Sequence, residues 1–316
     1  MNPELVTLGE TMGVLAASEI GPLRDGHPMT LGLAGTESNV AIGVRRLGHR
    51  AVWIGRVGAD AVGRMILREL RGEGVDISHA VTDPDAPNGL MLKVHRTTAS
   101  SEVMYARRDS AGSRLRPDDI PPDVVGSARV LHVTGVTPAL SDTARATVFR
   151  AVEIARSASV TVSLDLNHRA KLWSDDEASA IFGELVKQCD IVFASENEAA
   201  LVVGECAPDD AAARLADLGP RHAVIKRGEH GYVARVDGES FSGAAVTVPV
   251  ADPVGAGDAF VAGYLASWLG DAGPAEALAT ANLAGAFAVA TPGDWEGLPT
   301  RDEVAAFARR ADVVTR

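Results

Sequence analysis

Short runs of branched aliphatic residues alternate along the chain with longer segments in which apolar residues recur at helical spacing. The runs are almost continuously apolar, which is typical of strands in a parallel sheet that is covered on both faces. Between two of them, the segment 141–157 repeats apolar residues at Ala144 and Val148, and Ser141 is placed to cap its N-terminus. The alternation predicts a doubly wound α/β core. The alternation begins at residues 51–58. The further predicted strands are residues 128–136, 159–167, 190–195 and 221–228.

Two segments depart from this rhythm, residues 11–35 and residues 88–108. Both show period-two alternation around polar turns, which is the pattern of hairpins with one exposed face. We expect the two hairpins to pair into a small separate sheet that forms a lid over one edge of the core. The lid would be inserted into the core, which would comprise residues 1–10, 36–87 and 109–316.

A glycine-rich turn, "VGAGD" at residues 254–258, leads from a predicted strand at residues 244–252, with valine at every second position from 246 to 250, into a segment of helical periodicity. Glycines let backbone amides approach a ligand closely, and the free amides of a helix N-terminus attract an anion such as phosphate. Asp258 would repel that anion, which makes sense if Asp258 accepts the proton of a hydroxyl group that attacks phosphorus. The alternative is that the glycines permit a tight turn and that Asp258 caps the helix.

Composition and charge narrow the classes of function. The chain has 316 residues, of which 46% are hydrophobic and 23% charged, as in globular proteins. The formal net charge of -12 disfavours a nucleic-acid binder, because such proteins collect Lys and Arg to displace counterions. Two cysteines are too few for a disulfide framework, no signal-peptide pattern is visible, and the most apolar stretch, residues 280–291, is too short to span a bilayer. We therefore expect a cytoplasmic protein that binds neither nucleic acid nor membrane.

Two common phosphate-binding motifs are missing from the sequence. The dinucleotide fingerprint G-x-G-x-x-G is not completed at the glycine-rich turn, because Phe260 stands where the third glycine belongs, and it does not follow the first apolar segment, residues 5–10. No G-x-x-x-x-G-K-[ST] loop occurs either. A dinucleotide-dependent oxidoreductase is therefore disfavoured.

Two longer motifs carry a family resemblance. "DPVGAGDAF" (residues 252–260) resembles the second signature of the ribokinase-like, or pfkB-type, carbohydrate kinases, and "GLAGTESNVAIGVRRLG" (residues 32–48) resembles their first signature. The resemblance implies an α/β fold, with a three-layer αβα core around a mostly parallel sheet and a small β-sheet lid. It also implies transfer of the γ-phosphoryl group of ATP to a sugar hydroxyl with the help of Mg²⁺.

The resemblance assigns roles to individual residues. Asp258 matches the catalytic base, and the amides of Gly255, Ala256 and Gly257 match an anion hole that stabilises charge developing on the transferred group. Glu198 matches an acid that organises Mg²⁺ and its waters, with Ser195 in place of the usual Asn. The other matches lie on the sugar side (Gly35 and Asn39) or on the nucleotide side (Asn167, Lys226, Gly228, Gly231, Gly255, Gly257 and Asn282).

Three further segments, "VMYARRDSAGSRL" (residues 103–115), "LHVTGVTPAL" (residues 131–140) and "LDLNHRAKLW" (residues 164–173), resemble those of 2-keto-3-deoxygluconate kinases and bear on the substrate. Tyr105 and Arg107 share one face of a predicted lid strand, and Arg169 follows the carboxyl end of a core strand, where ligands bind in such sheets. Two guanidinium groups in one pocket predict an acidic substrate, because arginine binds a carboxylate through paired hydrogen bonds. One of the two arginines could instead serve the γ-phosphate, and the alternative for each arginine is a solvated surface charge. Asp294 falls where the family has a substrate-side residue, although an acid in such a turn is ordinarily a turn residue.

We expect an enzyme that phosphorylates a sugar acid with ATP and Mg²⁺, namely 2-keto-3-deoxygluconate to 2-keto-3-deoxy-6-phosphogluconate, by in-line transfer with Asp258 as base. Met91 stands where these kinases often carry a substrate-contacting Tyr, so fructokinase or another ketose or deoxy-sugar-acid kinase is the alternative within the family. A catalytically inactive sugar-binding sensor is the alternative outside the enzymes, and the intact "GAGD" disfavours it, because a sensor needs no base. The expected partners are a small sugar acid, ATP and further copies of the chain in a dimer or higher oligomer.

Overall fold

The computed structural model describes residues 2–97 and 101–314, so Met1, residues 98–100 of the second predicted lid segment and residues 315–316 lie outside the described residues. The strands within the described residues are β1 Leu5–Leu8, β2 Met12–Ala17, β3 Met29–Ala34, β4 Ala51–Ile54, β5 Arg56–Gly58, β6 Val81–Asp83, β7 Leu90–His95, β8 Ser101–Ala106, β9 Val130–Thr134, β10 Thr161–Asp165, β11 Ile191–Ser195, β12 His222–Lys226, β13 Tyr232–Val236 and β14 Glu239–Gly243. The helices are α1 Thr36–Arg46, α2 Ala61–Gly72, α3 Pro122–Gly126, α4 Asp142–Ser157, α5 Asp175–Val186, α6 Glu196–Val203, α7 Pro208–Asp217, α8 Ala256–Leu269, α9 Pro274–Val289 and α10 Arg301–Val314.

The central sheet has eight strands in the order β14-β13-β12-β11-β10-β9-β1-β4. The strands from β4 to β12 in this order pair in parallel, and β13 and β14 continue one edge as antiparallel strands. The four strands predicted between residues 128 and 228 are confirmed, and each predicted segment contains one of them. The mostly parallel sheet agrees with the predicted fold class.

Successive strand residues point to opposite faces of the sheet, and helices pack against the apolar side chains on both faces. Val6 and Leu8 belong to an apolar cluster that also includes residues of α4, α5 and α7. Leu5 belongs to a second cluster, which includes residues of α1, α2, α8 and α9. The helix predicted at residues 141–157 is confirmed as α4, and Ser141 Oγ accepts the hydrogen bond of the Ala144 amide at 3.0 Å. The core therefore has the three layers expected from the sequence pattern.

A second, four-stranded sheet contains the two predicted hairpins, in the order β3-β2-β7-β8. Strands β2 and β3 pair antiparallel, as do β7 and β8, and β2 and β7 join the two hairpins in parallel. The register places Met91 opposite Tyr105 and Lys93 opposite Val103. This is the small lid sheet that the sequence predicts, whereas the predicted domain boundaries stay a prediction.

One predicted strand is wrong. Residues 244–250 continue from β14 without regular secondary structure, although their valines alternate. Pro249 has no amide hydrogen to donate to a sheet ladder, which explains why the alternation does not produce a strand. The segment is instead held by Asn282 of α9, whose Nδ2 donates to the Ala244 carbonyl at 2.7 Å. The predicted helix after the glycine-rich turn is right, since α8 begins at Ala256.

Among the residues that the structure describes, none of the helices combines the length and the apolarity that a membrane span requires.

Candidate active site

A cleft of about 530 Å³ lies between the lid sheet and the carboxyl ends of the parallel strands. The lid contributes Met91, Lys93 and Val103, and the core contributes residues that follow β10, β11 and β12. Open α/β sheets bind ligands at this edge, because the loops and helix N-termini converge there. All residues predicted on the sugar side line this cleft: Gly35, Asn39, Tyr105, Arg107, Arg169, Asp258 and Asp294.

Asp258 lies in the first turn of α8 and its carboxylate is held by two side chains of α1. Thr36 Oγ1 donates to Asp258 Oδ1 at 2.5 Å, and Asn39 Nδ2 donates to Asp258 Oδ2 at 2.8 Å. Asn167 Nδ2 in turn donates to Thr36 Oγ1 at 2.7 Å, which directs the hydroxyl proton of Thr36 towards Asp258. Burial raises the pKa of Asp258 although the hydrogen bonds from Thr36 and Asn39 oppose the shift. The ionised carboxylate is therefore oriented and is a stronger base than an aspartate in water.

The turn before α8 has a shape that requires glycine. Gly255 is the N-cap residue of α8 with φ of 77°, and a Cβ built on it would lie 1.9 Å from the Asp294 carbonyl oxygen. The amides of Ala256 and Gly257 stand at the helix N-terminus, where no intrahelical acceptor exists for them. This end of α8 attracts negative charge through its free amides and its dipole. The structure thus brings the predicted anion hole and Asp258 to the same end of one helix.

Lys226, at the end of β12, provides a positive charge beside this turn. Its Nζ lies 2.7 Å from both carboxylate oxygens of Asp165, which ends β10. Burial lowers the pKa of Lys226, but the carboxylates of Asp165 and Glu198 outweigh that effect, so the pKa is raised. A Cβ built on Gly257 would lie 3.5 Å from Lys226 Nζ, which places a stable ammonium group next to the helix N-terminus.

A second cavity, of about 580 Å³, adjoins the first and shares Lys226, Gly228, Pro253 and Gly257 with it. Its apolar wall is formed largely by the irregular segment 244–250 and by α8 and α9, and Val250 in that wall is 71% exposed. Predicted nucleotide-side residues line it: Lys226, Gly228, Gly231, Gly257 and Asn282, together with Ala256 of the anion hole. Asn167 and Gly255, also predicted on the nucleotide side, line the first cleft instead. An apolar slot with a cation and free amides at one end fits a nucleotide, whose base is flat and whose phosphates are anionic.

Glu198, the predicted magnesium-side acid, lines the first cleft but both of its carboxylate oxygens already accept hydrogen bonds. Oε2 accepts from the Ser195 amide at 2.7 Å and Oε1 accepts from the His168 amide at 2.9 Å. Ser195 caps α6, in a reciprocal arrangement with Glu198. Within residues 2–97 and 101–314, no group of three His, Cys, Asp or Glu side chains is arranged to hold a metal ion. A site with the single acid Glu198 fits a Mg²⁺ ion that keeps its waters and binds mainly to phosphate oxygens, as Mg²⁺ commonly does.

The two predicted substrate arginines differ in their partners. Arg107 donates from Nε to Glu10 Oε2 at 2.9 Å and also from Nη2, which leaves Nη1 without a described partner. Ser110 Oγ donates to the other oxygen of Glu10, which is 3% exposed. Arg169 forms no ion pair with any described carboxylate and donates only to the His168 carbonyl at 3.2 Å.

Sequence analysis missed four polar or charged residues of the cleft: Glu10, Thr36, Lys93 and Asp165. Asp165 had a local signal, because it is an acid at the end of an apolar strand. Thr36 lies inside the motif that carried the resemblance, directly after Gly35. Lys93 had no local signal, because its partner in a buried ion pair is Asp252, which is far along the chain.

Comparison with known proteins gives consistent results. Residues 2–301 match the pfkB family of carbohydrate kinases. The chain is 37% identical over 310 residues to the 2-dehydro-3-deoxygluconokinase of Bacillus subtilis (strain 168). The match covers 97% of this chain and 96% of that protein. It is 37% identical over 303 residues to the 2-dehydro-3-deoxygluconokinase of Thermoproteus tenax, with 95% and 92% covered.

Among solved structures, an E. coli protein described as ribokinase II, in complex with ATP and Mg²⁺, has a TM-score of 0.90. It is 25% identical, and the match covers 98% of this chain and 99% of that one. The predicted fold class and family resemblance are confirmed, and the similarity extends over nearly the full length of each chain.

Proposed function

The chain belongs to the pfkB family of carbohydrate kinases, and we propose that it transfers the γ-phosphoryl group of ATP to a hydroxyl group of 2-dehydro-3-deoxygluconate, the same sugar acid as 2-keto-3-deoxygluconate. The observation that carries the proposal is Asp258, a buried carboxylate held by Thr36 and Asn39 at the N-terminus of α8. The relatives from Bacillus subtilis and Thermoproteus tenax are named for that sugar acid, which supports the choice of substrate.

The acid group of the substrate would bind at the arginine side of the cleft. Among the described residues, Arg169 has no carboxylate partner within ion-pair distance, and Nη1 of Arg107 has no partner while Glu10 fixes the rest of its guanidinium group. A guanidinium group that keeps unused N–H donors in a partly enclosed cleft favours a carboxylate, which it can bind through two parallel hydrogen bonds. This supports a sugar acid over a neutral sugar.

The attacking hydroxyl would be activated by Asp258. Asn39 Oδ1 is buried and has no hydrogen-bond partner in the described part of the chain, although the same side chain donates to Asp258 from Nδ2. A sugar hydroxyl that donates to Asn39 Oδ1 would satisfy this buried acceptor. The site therefore fits a polyol better than an apolar ligand. Asp258 would take the proton of the hydroxyl as its oxygen attacks phosphorus.

ATP would supply the phosphoryl group and Mg²⁺ would offset its negative charge. The second cavity would hold the nucleotide, with its base against the apolar wall that includes Val250 and its phosphates towards Lys226. The Lys226 ammonium and the amides of Ala256 and Gly257 would stabilise the charge of the transferring group without rearrangement, which is the main source of catalysis in phosphoryl transfer. Glu198 would orient waters of the metal. A cytoplasmic location and a homo-oligomeric state remain predictions from the sequence.

A coupled ADP-release assay tests the substrate. We expect the largest kcat/KM with 2-dehydro-3-deoxygluconate or its galactonate epimer, and values at least about 100-fold lower with fructose, ribose and adenosine, because a neutral sugar leaves Arg169 unpaired. Arg169→Met should raise the KM for the sugar acid and leave the weak turnover of fructose unchanged. Equal turnover of fructose and the sugar acid, or no turnover of either, would contradict the proposal.

A further inference from the structure

A third cavity, of about 840 Å³, is larger than the first cleft (the sugar cleft) and the second cavity (the nucleotide cavity), and most of its wall residues have no part in the proposed reaction. It adjoins the sugar cleft, and the two share Val103, Tyr105, Arg107 and Arg169 as wall residues. The remaining wall comes from β8, from the segment after β10 and from the region before α4. Arg108 and Lys171 line this cavity and neither of the other two.

The charge of this cavity is opposite to that of the chain. Its described lining contains three arginines, a lysine and His168, and no Asp or Glu, although the net charge of the chain is -12. Glu10 neutralises Arg107, but Arg108, Arg169 and Lys171 form no ion pair with any described carboxylate. Arg169 also interacts electrostatically with Asp258, whereas Arg108 and Lys171 contribute positive charge to a concave surface, which creates a local positive potential and attracts small anions.

The wall presents both polar and apolar side chains, which suit an anion with a short carbon skeleton. Lys171 Nζ donates to the Val103 carbonyl at 2.9 Å and lies 5.7 Å from the centre of the Tyr105 ring, so the ammonium is held at the wall. His168 Nε2 is buried, has no hydrogen-bond partner within residues 2–97 and 101–314, and lies 3.7 Å from Asp175 Oδ1. Apolar atoms of Met104, Leu140 and Leu172 complete the lining.

We propose that this cavity binds a small organic phosphate, a phosphate monoester on a short polar carbon chain, at a site separate from the site of phosphoryl transfer. A phosphate monoester carries close to two negative charges and three acceptor oxygens, which matches guanidinium and ammonium groups better than a single carboxylate does. Because Tyr105 and Arg169 belong to both walls, the bound phosphate would also restrict the acid end of the sugar cleft. That last consequence rests on the proposed function, whereas the binding itself does not.

Isothermal titration of the full chain with glycerol 3-phosphate tests the site, with glycerate and glycerol as matched probes of lower charge. Saturating Mg²⁺ and β,γ-imido-ATP keep the nucleotide cavity filled. We expect glycerol 3-phosphate to bind on the order of 10-fold more tightly than glycerate, and glycerol not to bind. The double variant Arg108→Gln with Lys171→Met should weaken phosphate binding by at least about 10-fold.

The matched control is Arg68→Gln with Arg221→Met, which removes the same two charges from side chains that are each 72% exposed elsewhere on the surface. This control should bind the phosphate as the wild type does, and Arg108→Gln alone should show a smaller loss if the double variant does not fold. The proposal is overturned if the phosphate probe does not bind the wild type, if both double variants bind it equally, or if binding occurs only when β,γ-imido-ATP is omitted. The titration contains no sugar and measures no turnover, so its failure leaves the proposed kinase activity untouched.

Discussion

Glu37, in the first turn of α1, is fully buried next to the proposed catalytic site. Its Oε1 accepts hydrogen bonds from Thr134 and Thr137 at 2.6 Å each, whereas Oε2 has no hydrogen-bond partner among the described residues. Burial raises the pKa of Glu37 from 4.5 to about 7, and the nearby charge of Asp258 raises it too. The folded protein therefore holds a proton on Glu37 at pH values at which the unfolded chain has released it.

Replacement of Glu37 by Gln should change how stability depends on pH. A folded-state pKa above the unfolded value contributes stability that is complete below pH 4.5 and is lost as the pH rises through about 7. The free energy of unfolding of the wild type should therefore fall relative to that of Glu37→Gln between pH 5 and pH 8, by up to roughly 3 kcal/mol.

Urea unfolding of both proteins across that pH range measures the difference. Glu153→Gln is the control, because the Glu153 side chain is 63% exposed, and its curve should stay parallel to that of the wild type. A Glu37→Gln curve that is also parallel to the wild type would show that Glu37 titrates normally.

At the scale of elements, the lid sheet and the glycine-rich turn are joined by a buried ion pair. Lys93 of β7 pairs with Asp252, and the two side chains are 4% and 7% exposed. Asp252 also accepts a hydrogen bond from the Val254 amide at 3.2 Å, so it fixes the start of the turn that precedes α8. The position of the lid and the shape of the proposed anion hole therefore depend on the same carboxylate.

Lys93→Met should leave Asp252 buried without its partner and destabilise the protein by about 3–5 kcal/mol. We expect a lower kcat as well, because the turn before α8 loses its fixed anchor. The double variant Lys93→Met with Asp252→Asn removes both charges and should recover part of the stability. Urea unfolding and ADP release measure the two effects. A single variant that is no less stable than the double variant would show that the pair does not connect lid and turn.

Elements and site residues differ in how far the sequence predicts them. Local periodicity predicts the core strands and α4, because burial on one or both faces leaves a regular pattern. It fails at residues 244–250, where Pro249 interrupts an otherwise strand-like alternation. Lys93 and Asp252 are 159 positions apart, so their pairing depends on the assembled fold and leaves no local signal.

The roles of side chains are likewise predictable where the signal is local and not where it depends on the assembled fold. Asp258 could be predicted because a carboxylate after a glycine-rich turn is locally anomalous. The contact between Thr36 and Asp258 spans 222 positions. A threonine at the start of a helix is common, so the local sequence does not indicate this contact. Arg107 was predicted to bind substrate, but its pairing with Glu10 depends on how the lid meets the core.

For the molecule as a whole, two cavities meet at the N-terminus of α8. The sugar cleft contains Asp258, the nucleotide cavity contains the apolar slot, and Lys226 and Gly257 line both. A hydroxyl from one side and a phosphate from the other would therefore meet where the base, the ammonium group and the free amides are fixed in advance. This arrangement supports direct transfer from nucleotide to sugar acid.

The central claim is that Asp258 takes the proton of the attacking hydroxyl, and the ADP-release rate of Asp258→Asn tests it most directly. Asn keeps the size of the side chain but cannot accept a proton, so kcat with 2-dehydro-3-deoxygluconate should fall by about 10²–10⁴-fold while the KM for ATP changes little. Asp142→Asn is the matched control, because the Asp142 side chain is 97% exposed, and it should retain the wild-type rate. An Asp258→Asn protein that is folded and turns over at the wild-type rate would contradict the account.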